Sequence, residues 1–165
     1  MWNDPNIVKV IKEGGIVVMP TDTVYGLVGG AHDSKAIERI YQIKNRQKDK
    51  KLINLISDWS ETQKWGIDSS KFNIPVYDSP TTFILDGISF RVPQSSELIT
   101  LLKQTGPLVA PSANPEGLPP AKNIMEAKKY FSDKVDLYID GGEVVGKASE
   151  VIRLEADGTV TILRA

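Results

Sequence analysis

Three short segments carry the residue types that chemistry requires. Pro20-Thr21-Asp22-Thr23-Val24-Tyr25-Gly26-Leu27 sets two threonine hydroxyls, a carboxylate and a phenol directly after an apolar run. Polar groups that emerge at a strand end are where α/β folds gather ligands, and Gly26 lets a backbone come close. The same residues also read as a strand-to-strand turn in which Asp22 closes an Asx turn, and local physics favours that reading. Between Lys44 and Lys51, five of eight residues are basic. This run follows a predicted helix, where cations are favourable against the helix dipole. It reads either as a solvated helix end or as a triphosphate clamp, with lysine as a point charge and Arg46 as a planar fork. Composition does not choose between the two. Pro111-Ser112-Ala113-Asn114-Pro115 is a proline-stiffened turn after another apolar run. Its Ser112 and Asn114 can serve a ligand or their own backbone.

Weaker signals lie further along the chain. Arg91 and Arg164 end strand-like runs, and each alone reads as a surface ion-pair former. Asp140-Gly141-Gly142 is a turn, and Ser149 is a hydroxyl at the start of a strand. Asp22 is the nearest candidate for a general base, with a structural turn role favoured.

Several chemistries are excluded. With no cysteine, thiolate catalysis, disulfides and Cys-based zinc sites are impossible. A single histidine, His32, rules out a His-rich metal site, and no metal ligand set is expected. No Walker loop and no carboxylate dyad occur. The net charge of −1 argues against coating nucleic acid by bulk charge, though a local basic patch remains open. No apolar run reaches the roughly 18 residues that span a bilayer, and Met1-Trp2-Asn3-Asp4-Pro5 lacks the pattern of a signal peptide. A cytoplasmic protein without membrane contact, folded as one domain over residues 1–165, is the expectation.

The elements that must position these groups alternate early and pair late. Asp4-Pro5 caps a helix through Ile11, and Gly14-Gly15 ends it. Strands are predicted over Ile16–Met19 and Val24–Gly30, then a helix capped by Asp33 or Ser34 with Ala36, Ile37, Ile40, Tyr41 and Ile43 at helical spacing. Leu52–Ile56 reads as a strand. Residues 57–80 give no clear periodicity beyond helical turns at Ser60–Trp65. Thr82–Leu85 and Ile88–Val92 form a hairpin on Asp86-Gly87. A helix from Ser95 or Ser96 ends near Gly106, and another runs from Asn123 to Phe131. Leu108–Ala110, Val135–Ile139, Val151–Leu154 and Val160–Leu163 read as strands. The pattern predicts an α/β, α+β-like domain with a mixed sheet carrying Ile16–Met19, Leu108–Ala110 and Val135–Ile139.

The segments occur together and in order, and in that combination the chain resembles the YrdC/Sua5 family of threonylcarbamoyl-AMP synthases, which serve the t6A modification of tRNA. The matching stretches are the Thr21–Leu27 run, Lys44-x-Arg46, Pro80–Leu85, Phe90-Arg91-Val92-Pro93, Pro111–Gly117, Asp140-Gly141-Gly142 and Ile162-Leu163-Arg164. The resemblance implies a twisted mixed sheet flanked by helices, with a large basic concave cavity. It implies that L-threonine, bicarbonate and ATP, with Mg²⁺, give threonylcarbamoyl-AMP and pyrophosphate. By carry-over, Thr23 and Tyr25 lie at the threonine site and Lys44 and Arg46 face the phosphates as catalytic groups. Thr82, Ser112, Asn114, Ser149 and Arg164 lie around the nucleotide. Independently, Thr23, Lys44, Arg46, Ser112 and Asn114 each lie at the end of a predicted strand or helix, which predicts that they converge on one cavity. Downstream t6A transferase proteins would take the product, and tRNA or double-stranded RNA would contact the basic cavity. The chain departs from the family pattern where Lys51 stands for a proline, Asn54 near a frequent histidine, and Glu150 in a Ser-Thr-Val run. Those departures keep open a paralogue without synthase activity, and the same basic cavity keeps open a YrdC-like RNA-binding module.

Overall fold

Asp4 accepts a hydrogen bond from the Asn6 amide and Pro5 occupies the first turn, so α1 (Pro5–Lys12) starts where the sequence places it. A computed structural model describes all 165 residues. After α1 come β1 (Val17–Pro20), β2 (Tyr25–Gly30), α2 (Ser34–Lys44) and β3 (Asn54–Leu55). The hairpin β4 (Thr81–Leu85) and β5 (Ile88–Arg91) leads to α3 (Ser96–Thr105), β6 (Leu108–Val109) and α4 (Ile124–Phe131). β7 (Leu137–Tyr138), β8 (Glu150–Leu154) and β9 (Val160–Arg164) complete a nine-stranded sheet in the order β7-β1-β2-β6-β3-β5-β4-β8-β9. Pairing is mixed: β1–β7, β3–β5 and β4–β8 are parallel, and the other neighbours are antiparallel. The predicted mixed sheet with helices around it is the fold observed.

β1 reads as a continuous apolar run because both of its faces are covered. Val17 and Met19 join Ile7 and Ile11 of α1 and Leu98, Leu101 and Leu102 of α3 in one core. Val18 points the other way, into a core with Ile40 of α2 and Ile124, Ala127 and Phe131 of α4. Each such side chain fully buried contributes about 1.5–3 kcal/mol. A third core gathers Ile56, Phe83, Leu85, Phe90 and Leu154 at the β5–β4–β8 end. The alternation matters for the site. If Phe90 and Phe83 face this core, then Arg91 and Thr82 face away from it.

Two expectations are trimmed by the structure. Ladder pairing covers only Leu137–Tyr138 of the predicted Val135–Ile139 strand and only Asn54–Leu55 of Leu52–Ile56. Residues 57–80 hold two 3-10 segments, Trp59–Trp65 and Ser69–Lys71, each started by an aspartate (Asp58, Asp68) that accepts from the amide two residues on. Aromatic packing then fixes them, with Trp59 against Phe83 at 5.7 Å and Trp65 against Phe90 at 5.0 Å. No helix is long and apolar enough to cross a membrane.

Candidate functional site

Two turns face each other at the ends of β1–β2 and β6, and each is held by a buried cation. The first is the Thr21–Val24 turn. The Thr21 hydroxyl donates to the Val24 carbonyl at 2.7 Å and accepts from the Thr23 amide at 3.2 Å, which sets the turn locally. Asp22 does not close an Asx turn. Its Oδ1 accepts from Arg91 Nη2 at 2.9 Å and Nε at 3.2 Å, with the two side chains only 3% and 7% exposed. Arg91 therefore is no surface residue. β5 alternation turns it inward, and Nη2 also reaches the Thr23 hydroxyl at 3.4 Å. Asp22 Oδ2 is buried and accepts nothing from the chain.

The second turn is Ser112–Pro115. Lys44, at the last position of α2, is 1% exposed. Its ammonium donates to the Ser112 carbonyl at 2.6 Å, the Asn114 carbonyl at 2.7 Å and Asn114 Oδ1 at 3.4 Å. The Glu116 amide in turn donates to the Lys44 carbonyl at 2.8 Å, so helix and turn are tied in both directions. Burial, and then the charge of Arg46, pull the Lys44 ammonium down to about 8, while Glu116 opposes the shift. Asn114 is saturated as well. Its Oδ1 accepts from the Ser112 hydroxyl at 2.5 Å and its Nδ2 donates to the Pro115 and Leu118 carbonyls. The turn docks on β2, where the Leu27 amide donates to Pro111 O and the Ala113 amide to Tyr25 O, both at 2.8 Å. At Gly26 an added Cβ would lie 3.0 Å from Thr21 Cγ2 and 3.5 Å from the Pro111 carbonyl, so a small residue suits this approach.

Between the turns lies a cavity of about 150 Å³ lined by Thr23, Arg46, Lys51, Arg91, Ser112, Ser149 and Arg164, with apolar positions such as Leu52, Ile53 and Ala110 between them. Four cations and no carboxylate line it. It is thus basic but small, below the ~300–1,000 Å³ of a drug-sized site. One side is closed by the strap from Gly141 to Ser149. Tyr25 pins the start of that strap: its hydroxyl donates to the Gly142 carbonyl at 2.8 Å and accepts from the Gly141 amide at 2.9 Å. Burial raises the Tyr25 phenol above its ordinary range, the Gly141 amide opposing. Thr82 and Ser149 pin the end, their hydroxyls 2.7 Å apart, while Arg164 Nε donates to the Ser149 carbonyl at 2.8 Å. Midway, an added Cβ on Gly146 would lie 2.1 Å from the Thr23 carbonyl, so the strap rests on the Thr23 backbone.

Of the predicted convergent set, Thr23, Arg46 and Ser112 meet at the cavity, joined by Ser149 and Arg164. Lys44 and Asn114 stand behind its wall, and Tyr25 and Thr82 hold the strap. The geometry thus assigns Lys44 to building the Ser112–Pro115 turn, since its ammonium is buried among three protein oxygens. Arg46 is different. Nη1 bonds the Glu116 carboxylate at 3.1 Å, Nε the Lys50 carbonyl and Nη2 the Lys51 carbonyl, leaving a second N–H on Nη2. Its side chain is 22% exposed. Arg164 feels the charge of Arg91 after its own partial burial, and both lower its pKa. Sequence reasoning read Arg91 as a surface ion-pair former and Lys51 only as part of the basic run, whereas both line the cavity. The signal for Arg91 was the alternation from Phe90, which sends the next side chain to the opposite face of β5.

The Sua5/YciO/YrdC family model, described as telomere recombination, matches residues 9–165. The threonylcarbamoyl-AMP synthase of Pseudomonas fluorescens strain Pf0-1 is 26% identical over 181 residues, spanning 96% of this chain and 96% of that protein. Among solved structures, P. abyssi Sua5 complexed with L-threonine aligns with a TM-score of 0.79 at 28% identity, over 96% of this chain and 52% of that one. The present chain thus spans about half of that protein. E. coli YciO aligns with a TM-score of 0.78 at 28% identity, over 96% of this chain and 86% of that one.

Proposed function

This chain belongs to the Sua5/YciO/YrdC family, and from that premise we propose that it is a threonylcarbamoyl-AMP synthase using L-threonine, bicarbonate and ATP. The observation that carries the reading is the cavity lined by Arg46, Lys51, Arg91 and Arg164 with the Thr23 and Ser112 hydroxyls among them. Such a site suits an anionic substrate whose charge is spread over several oxygens.

The neutral threonine amine attacks bicarbonate, with loss of water, or CO₂, with loss of a proton to solvent, to give a carbamate. A carbamate oxygen then attacks the α-phosphorus, the bond to the β-phosphate oxygen breaks, and pyrophosphate leaves. The chain's part is positioning and charge neutralisation, with no acid–base histidine needed. Thr23, braced by Arg91, orients the amino acid. Arg46 and Arg164 face the departing phosphates. Lys44 acts one step removed, by holding Ser112 in place. Mg²⁺ enters with ATP as part of that substrate and would offset the charge of the departing pyrophosphate. The product passes to downstream t6A transferase proteins, and tRNA or double-stranded RNA contacts the basic cavity.

The test is pyrophosphate release from MgATP with L-threonine and bicarbonate added singly and together. The synthase reading expects release only with both. A second reading, a paralogue without this activity, rests on the departures from the family pattern at Lys51, Asn54 and Glu150. ATP binding without release dependent on both co-substrates would establish it. Salt-dependent RNA binding without ATP turnover would establish an RNA-binding module instead.

A further inference from the structure

Five cations lie between Lys44 and Lys51, and the fold disposes of four of them. Lys44 is buried against Ser112 and Asn114. Arg46 pairs with Glu116 at 3.1 Å, Lys48 with Glu38 at 2.6 Å, and Lys50 lies 3.8 Å from Glu116. Lys51 alone has neither a carboxylate partner nor a hydrogen bond from its ammonium, yet it lines the cavity. Its backbone is fixed although its side chain is exposed. Arg46 Nη2 donates to the Lys51 carbonyl at 3.1 Å, Tyr41 and Arg46 both donate to the Lys50 carbonyl, and Leu52 beyond it is buried.

The charge balance of the cavity says what this lysine suits. Arg91 is compensated by Asp22 and Arg46 by Glu116, which leaves Arg164 and Lys51 without a carboxylate. Two uncompensated positive charges suit a polyphosphate, which carries several negative charges. They do not suit an amino acid, which is a net-neutral zwitterion. We infer that Lys51 binds the polyphosphate of the nucleotide and the pyrophosphate formed from it, as the mobile cation beside the fixed fork of Arg46. Where the family pattern carries a proline, this chain gains a phosphate-binding charge.

This rests on the synthase reading only in taking ATP as the ligand, and the experiment separates the two. Titration calorimetry with MgATP and, separately, with L-threonine is run on the wild type, Lys51→Met and Lys51→Arg, with thermal melts alongside. Lys51→Met is expected to weaken MgATP binding about three- to tenfold at low salt, since exposed charge contacts are modest and screened. It leaves the L-threonine affinity unchanged within about twofold by the charge argument above. Lys51→Arg recovers most of the loss, because the charge remains. Raising salt weakens the wild type more than Lys51→Met. Equal MgATP affinity in wild type and Lys51→Met overturns the inference alone, as does an equal loss of both ligands. A wild type that binds no MgATP overturns this inference together with the synthase reading.

Discussion

Lys44 and Arg91 hold the two walls of the cavity, whereas Arg46, Lys51 and Arg164 furnish its rim. The wall cations are 1% and 2% exposed, and their N–H groups point at protein oxygens. The rim cations are half-buried or exposed and keep N–H groups for something else. Lys44 and Arg46 are two residues apart in one basic run, so sequence spacing does not separate builder from binder. Position on the helix does. Lys44 lies on the buried stripe of α2 with Ala36 and Ile40, whereas Arg46 lies past the Asn45 cap, whose left-handed φ of 52° turns the chain outward. A buried charge is tolerated only when an opposite charge or hydrogen-bond acceptors meet it, and those bonds are what tie two segments together.

The contrast can be broken most sharply at Arg91. Arg91→Met leaves the Asp22 carboxylate buried without a partner, an uncompensated charge that costs about 3–5 kcal/mol. Urea unfolding reads the loss, and an Asp22→Asn/Arg91→Met double variant should regain much of it. A cost near the ~0.5 kcal/mol of an ordinary surface change would remove Arg91 from the wall.

Lys44→Met comes next, at about 2–3 kcal/mol, because the Ser112 and Asn114 carbonyls lose their donor. The pH dependence has a definite sign. The Lys44 pKa is about 8 in the fold against 10.5 ordinarily, so between those values the unfolded chain holds the extra proton. Burying the charge therefore costs stability below about pH 8, and that cost is relieved as pH rises towards 10.5. The stability gap between wild type and Lys44→Met should widen over that window, by at most about 1.4 kcal/mol per pH unit. A gap that narrows there contradicts the buried-ammonium assignment.

The smallest effect sharpens the role of the strap. Gly146→Ala places a methyl group where the Thr23 carbonyl now lies, 2.1 Å from the ideal Cβ position, so the strap must back away from Thr23. L-threonine affinity should fall about tenfold, or ~1.4 kcal/mol, while MgATP affinity changes less. Calorimetry with each ligand distinguishes this from a general loss of the cavity, in which both would fall together.

Most elements were legible because their signals are local. Asp4, Asp33, Ser95 and Asn123 each cap a helix through their own side chains, as the sequence implies. Asp86-Gly87 makes its hairpin with both residues at positive φ, 48° and 79°. In residues 57–80 only the helical turns at Ser60–Trp65 were legible; the rest depends on contacts distant in sequence, with Trp59 and Trp65 packed on Phe83 of β4 and Phe90 of β5. The site was legible to the same degree. Hydroxyls and charges at strand ends marked Thr23, Ser112 and Arg46, but the saturation of Lys44 and Asn114 arises only when the Ser112 turn docks on α2, 68 residues away in sequence for the Lys44–Ser112 bond. The pairing of Asp22 with Arg91 spans 69 residues, and no local rule predicts it.

The division between wall and rim meets its most direct test at Arg46. Arg46→Ala is titrated with MgATP and unfolded in urea in parallel. The account predicts an affinity lower by about ten- to a hundredfold, the loss of a charge-assisted contact to phosphate, with a stability change of about 1 kcal/mol or less from its partly exposed pair with Glu116. Unchanged affinity combined with a loss of several kcal/mol would place Arg46 in the wall with Lys44 and contradict the account.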